Sequence, residues 1–203
     1  METEQESLKT AETAFRKAGG MLRTSEALAL GIHPRTLYLL RDSNRLVSVS
    51  RGLYRLAGLP ELSEPDLIPV ARLVPQSVVC LISAIAFHGI TTEIPHEVYV
   101  ALPRSVKRPR LAYPPLRVFW FSGAALTAGV ERHKIDGVPV KIFGPEKTVA
   151  DCFKFRNKIG LDVAIEALKL CRERKGSTPR TLLHYARVCR VERIMRPYLE
   201  ALG

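Results

Sequence analysis

The chain has few of the groups that do covalent chemistry. Its 203 residues include four cysteines, Cys80, Cys152, Cys171 and Cys189. None forms a C-x-x-C pair and none has a histidine at finger spacing, which argues against a structural zinc site. There is no G-x-G-x-x-G, no Walker loop and no G-x-S-x-G elbow. There is also no D-x-D pair to hold magnesium. A non-enzymatic protein with no cofactor and no bound metal is therefore expected. No apolar run reaches the ~18 residues of a membrane span. The opening METEQESLKTAE is polar and acidic, unlike a secretory signal, so a cytoplasmic protein with reduced, buried thiols is expected. Acidic residues are scarce too: 20 Asp and Glu against 31 Lys and Arg leave a formal charge of +11. That balance favours a polyanionic partner.

What is present begins at the N-terminus. Leu8, Ala11, Phe15 and Ala18 share one face of a helix expected over 5–18. Gly19-Gly20 ends it. Thr24 is placed to cap a second, short helix that carries Glu26 in its first turn and stops at Gly31. Pro34 then suits the first position of a third helix. Leu37 and Leu40 should face the core, while Arg35, Thr36 and Tyr38 project near its N-terminus. In a helix-turn-helix these side chains reach base edges. Thr24 and Ser25 join them as candidate DNA contacts from the helix before. Asn44 tolerates a left-handed cap. Leu46–Val49 and Leu53–Leu56 read as a hairpin around Ser50-Arg51-Gly52. Arg45, Arg51 and Arg55 are placed to meet phosphates or a minor groove. Between residues 20 and 60 six basic residues stand against two acidic ones. The pattern is a winged helix-turn-helix over 1–58 with double-stranded DNA as its partner.

Residues 59–65, with Pro60 and Pro65, read as a linker. A second domain, 59–203, is expected to be α+β, with a helical C-terminal tail. Leu67–Val74 suggests a short helix and Ser77–His88 a buried one. Strands are expected over 97–102 and 116–121. They flank a basic, proline-rich loop over 103–115, with Arg104, Lys107, Arg108 and Arg110 and no acid. That loop is a solvated connection or a second nucleic-acid contact. Asp136-Gly137 signals a hairpin within 130–143. Helices are expected from Pro145, from Leu161 to about Arg174, from Pro179 behind a Thr178 cap, and over 191–202, with a possible interruption at Pro197. The tail is basic, with Arg172, Arg174, Lys175, Arg180, Arg187, Arg190, Arg193 and Arg196. Asp151 should bond to Lys147 across i,i+4 or anchor its helix to the sheet, as a buried structural carboxylate. His88 should cap carbonyls at a helix end. Glu173-Arg174-Lys175 has the acid-x-lysine spacing of a nuclease motif but no convincing upstream acid.

Four segments in order resemble the AbiEi-type antitoxins of type IV toxin–antitoxin (abortive infection) systems. They are the wing Ser50-Arg51-Gly52-Leu53-Tyr54-Arg55-Leu56, the helix Ser83–Ile90, the strand after Pro95, and Glu146–Cys152. The likeness runs over nearly the whole chain and is least in the last helices. Asn44 stands where the family would have glycine. The resemblance implies a winged helix that binds operator repeats and represses its own operon. It also implies a C-terminal domain that counteracts a nucleotidyltransferase-type toxin, with or without a stable complex. Two other readings fit the residues less fully. One is a winged-helix repressor with a ligand-sensing or dimerising C-terminal domain; the other is a nuclease or nucleotidyltransferase with a DNA-targeting module.

Overall fold

Leu8, Ala11 and Phe15 recur at helical spacing, and Glu2–Lys17 form α1 with Ala11 and Phe15 buried and Leu8 half-buried. The computed structural model describes residues 2–202. After α1 the chain forms β1 (Met21–Arg23), α2 (Thr24–Ala29), α3 (Pro34–Asp42), β2 (Leu46–Ser50) and β3 (Leu53–Leu56). The three strands make an antiparallel sheet in the order β1-β3-β2. Met21 lies opposite Arg55 and Leu46 opposite Leu56, and the register slips between Ser48 and Ser50. Helix, strand, two helices and a two-stranded wing are the topology of a winged helix. Its core joins Phe15, Leu22, Ala27, Ile32, Leu37, Leu40, Leu46, Tyr54 and Leu56. The strand β1 has no signature in the sequence, because three residues are too few to show alternation.

Two features differ from expectation here. The cap of α2 is Arg23, one residue earlier than Thr24. Its N–H donates to the Glu26 carboxylate at 2.8 Å, so the acid closes the first turn directly. Residues 59–75 also pack with the winged helix. The first compact unit comprises 1–75 together with 110–114 and 135–138. Within it α4 (Leu67–Leu73) is tied down by Arg72, whose guanidinium meets Glu26 at 2.5 Å and the Met21 carbonyl at 3.1 Å. A small cluster of Met21, Leu53 and Ile68 is covered by Val49, Leu62, Leu73, Ile135 and Val138.

The second unit comprises 76–109, 115–134 and 139–203. Its strands are β4 (Val78–Val79), β5 (Val98–Pro103), β6 (Leu116–Phe121), β7 (Val130–Ile135) and β8 (Val138–Phe143), and they lie in the order β6-β5-β4-β8-β7. The 77–88 run is not one helix. Val78 and Val79 pair with Ala101 and Val100 of β5, Val79 also pairs with Ile142 of β8, and only then does α5 (Leu81–Phe87) begin. A short apolar run looks alike whether it is a buried strand or a buried helix. β5 and β6 pair in parallel, Val98 opposite Leu116 through Pro103 opposite Phe121. Parallel neighbours cannot be joined by a tight turn, so the loop must carry the chain back along the whole strand. β7 and β8 are joined at Asp136-Gly137, both left-handed (φ 46° and 82°), as the sequence anticipates.

The helices α6 (Ala124–Thr127), α7 (Pro145–Lys154), α8 (Arg156–Ile159), α9 (Leu161–Lys175), α10 (Pro179–Val188) and α11 (Glu192–Ala201) complete the unit. Pro145 and Pro179 occupy first turns, and the Thr178 hydroxyl accepts from the Thr181 N–H. α11 runs through Pro197. Every residue of α7 from Lys147 to Phe153 is buried, so α7 is the central element, packed among α5, α9 and α10. Gly129 (φ +68°) is required beside it: a Cβ there would stand 2.7 Å from the Lys147 Cβ. The fold is α+β with an N-terminal winged helix and a helical C-terminal tail.

Candidate nucleic-acid interface

The second helix of the helix-turn-helix motif is α3, and its local sequence explains its start. His33 is the N-cap, with Nδ1 accepting from the Arg35 N–H at 3.1 Å, and Pro34 follows at the first helical position. Leu37 and Leu40 are fully enclosed (1% and 0% exposed), which fixes the helix's rotation. Arg35 and Tyr38 are then exposed, and Thr36 is half-buried beside them. Arg41, which is not among the candidates the sequence suggests, completes this face. Its guanidinium lies 5.0 Å from the Tyr38 ring centroid and pairs with Asp42 at 2.8 Å. The i,i+3 spacing from Tyr38 was the signal that could have found it. Leu39 is half-buried.

The helix ends where Ser43 Oγ donates to the Leu39 carbonyl at 2.7 Å and Asn44 turns left-handed (φ 55°). The wing then carries Arg51 at its exposed tip. Thr24 is occupied with holding that wing. Its N–H and hydroxyl both donate to the Gly52 carbonyl, at 2.9 and 3.4 Å, so the start of α2 anchors the turn. Ser25 is exposed on the same helix. Arg45 pairs through Nε with Glu12 of α1 at 2.5 Å. Arg55 donates to the Leu59 carbonyl at 3.5 Å and to the Pro60 carbonyl. Of the eight candidate contacts, Ser25, Arg35, Thr36, Tyr38 and Arg51 have no hydrogen bond from their side chains within the described protein. Thr24, Arg45 and Arg55 have partners of their own and hold the frame.

Elsewhere, titratable groups gather in the interior of the second unit. The Lys147 ammonium contacts Asp151 Oδ2 at 2.5 Å with both side chains 0% exposed, and it lies 3.9 Å from the Phe143 ring centroid. Cys189 Sγ donates to Asp151 Oδ1 at 3.2 Å. Burial raises the Asp151 carboxyl despite the ammonium that opposes it. It also pushes Cys189 up to about 12 and Cys171 up to about 11, so these are thiols rather than nucleophiles. Lysine, acid and thiol meet here with all three side chains buried. They brace α7, as the sequence reading of Asp151 anticipates. His88 Nε2 meets the Phe143 carbonyl at 2.8 Å, a strand carbonyl rather than a helix end, and burial lowers its pKa. Glu173 is exposed on α9, 4.0 Å from Lys169. Among the described residues no group of three or more His, Cys, Asp or Glu could hold a metal ion. No helix among them is long and apolar enough to cross a membrane.

Residues 10–57, nearly the whole winged helix, match the family model described as "Transcriptional regulator, AbiEi antitoxin". The resemblance read from the wing is thus met over that segment. The chain is also similar in structure to the RV2827C protein from Mycobacterium tuberculosis. The identity is 13% and the TM-score 0.57, over 96% of this chain and 81% of that one, a likeness of fold. No curated protein matches the chain.

Proposed function

We propose that the chain is a DNA-binding antitoxin that represses its own operon and counteracts a nucleotidyltransferase-type toxin. The carrying observation is the winged helix that matches the AbiEi antitoxin model, with Arg35 and Tyr38 exposed on α3 and Arg51 at the wing tip. Arg35, Thr36 and Tyr38 would enter the major groove and read base edges. Arg51 would lie against phosphates or in the minor groove, contributing affinity without sequence preference. Thr24 would hold the wing at the angle this requires, and Arg45 and Arg55 would fix the frame through Glu12 and the linker carbonyls. The second unit would carry the antitoxic activity. The support for that part is the family alone.

Gel shifts on the chain's own promoter test the regulatory half. Arg35→Ala should narrow the gap between operator and unrelated duplex by about 1–3 kcal/mol. Arg51→Ala should weaken both about equally. If neither variant changes binding, the assignment of α3 and the wing fails. Co-expression with a neighbouring nucleotidyltransferase toxin tests the other half: the full-length Arg35→Ala chain should still restore growth. No rescue by the unmodified chain would leave a repressor without antitoxic activity.

A further inference from the structure

The exposed edge of the second unit's sheet carries a feature that operator binding does not use. β6 is one of the sheet's two edge strands, and it presents Trp120, the only tryptophan of the chain, 45% exposed. The indole is held in place: its Nε1 donates to the Val106 carbonyl at 3.3 Å. With its one polar atom engaged, the ring offers only its π-face. Val106 belongs to the segment between Pro103 and Pro109, which carries Arg104, Lys107 and Arg108, all exposed. Arg108 is fixed by donating to the Leu116 carbonyl at 3.2 Å, at the start of β6. None of the three cations lies within 4.0 Å of a carboxylate among the described residues. The loop contains no acid, so the segment whose Val106 carbonyl orients the indole carries three exposed cations unpaired with any carboxylate within 4.0 Å among the described residues.

We infer that this edge binds single-stranded RNA, with an unpaired base stacked on Trp120 and the flanking phosphates held by Arg104, Lys107 and Arg108. A duplex would satisfy the cations but keeps its bases inside the stack. An acidic peptide would satisfy the cations but has no planar group for the indole. An unpaired strand uses both: every base has a π-face, and every linkage carries a negative charge. RNA is the nucleic acid whose loops and ends leave bases splayed out for aromatic side chains. The inference adds a second ligand to the chain and does not depend on the antitoxin reading.

Trp120 is also the reporter. Titrating the full chain with a twelve-residue oligouridylate should quench its fluorescence. Affinity should fall about 20-fold between 0.05 and 0.2 M salt if three phosphates are engaged. The double variant Arg104→Glu/Lys107→Glu should abolish the quenching while its far-UV circular dichroism and thermal midpoint stay those of the unmodified chain, which shows that it is folded. Trp120→Ala, followed with a labelled oligouridylate, should bind about 10-fold more weakly. No quenching by oligouridylate overturns the inference. So does quenching unchanged by the charge reversal, or equal quenching by poly-glutamate, which would make the partner an acidic protein segment.

Discussion

Lys147 and Asp151 are the clearest case in which sequence gives a pair but not its meaning. Their i,i+4 spacing was visible, and Asp151 was expected to be structural. The depth was not visible, because the rings beside the ammonium come from β8 and β6 and the thiol beside the carboxylate comes from α10's end, 38 residues on. An ion pair this deep is costly to desolvate, and breaking it is costlier than replacing it. Asp151→Ala should therefore lower unfolding stability by about 3–5 kcal/mol, read from the urea midpoint. The double variant Lys147→Met/Asp151→Leu should lose far less. Equal losses would mean that the pair stabilises as a pair, contrary to this account. Similar reasoning separates the arginines of the interface. Arg45 and Arg51 are six apart in sequence and equally suggestive there, but only the acid on α1 decides that Arg45 is engaged within the protein.

At the level of elements, the segments with strong local signals formed as read. Pro34, Pro145 and Pro179 open helices, and Asp136-Gly137 turns a hairpin. What escaped were elements defined by their neighbours. β1 exists because β3 offers it an edge, and β4 because it fills the slot between β5 and β8. The parallel pairing of β5 and β6 has no local signature at all. Asn44 shows how a local rule can be met by a substitute. Its left-handed conformation joins α3 to the wing, and asparagine tolerates that geometry better than most residues. Asn44→Gly should leave the thermal midpoint unchanged or raise it. Asn44→Val should cost about 1–2 kcal/mol and displace the wing, weakening operator binding as well. A valine variant as stable as the original would show that the turn is not strained in this way.

Over the whole molecule, the excess of 31 Lys and Arg over 20 Asp and Glu favours a polyanionic partner but does not say which cations are free to meet one. Many of the cations of the C-terminal tail are committed within the protein. Arg187 and Arg196 share Glu192, Arg172 donates to the Leu202 carbonyl and Arg174 to that of Gly89. With +11 charges in all, operator affinity should fall linearly on a log–log plot against salt, and Arg51→Ala should reduce the slope by about 1. A slope insensitive to Arg51 would place the wing away from phosphates. The domain boundary was the least legible property, since linker-like composition at 59–65 says nothing about which later segments fold back.

Those segments set an order on the birth of the protein. The first unit includes 110–114 and 135–138: Ser50 Oγ donates to the Tyr113 carbonyl at 2.6 Å, the Ser63 N–H to Asp136 at 2.8 Å, and Ile135 and Val138 cover Met21, Leu53 and Ile68. On the ribosome, the winged helix is made first but lacks its last pieces until residue 138 has left the exit tunnel. A nascent or prematurely released chain of 58 residues is thus an unfinished winged helix.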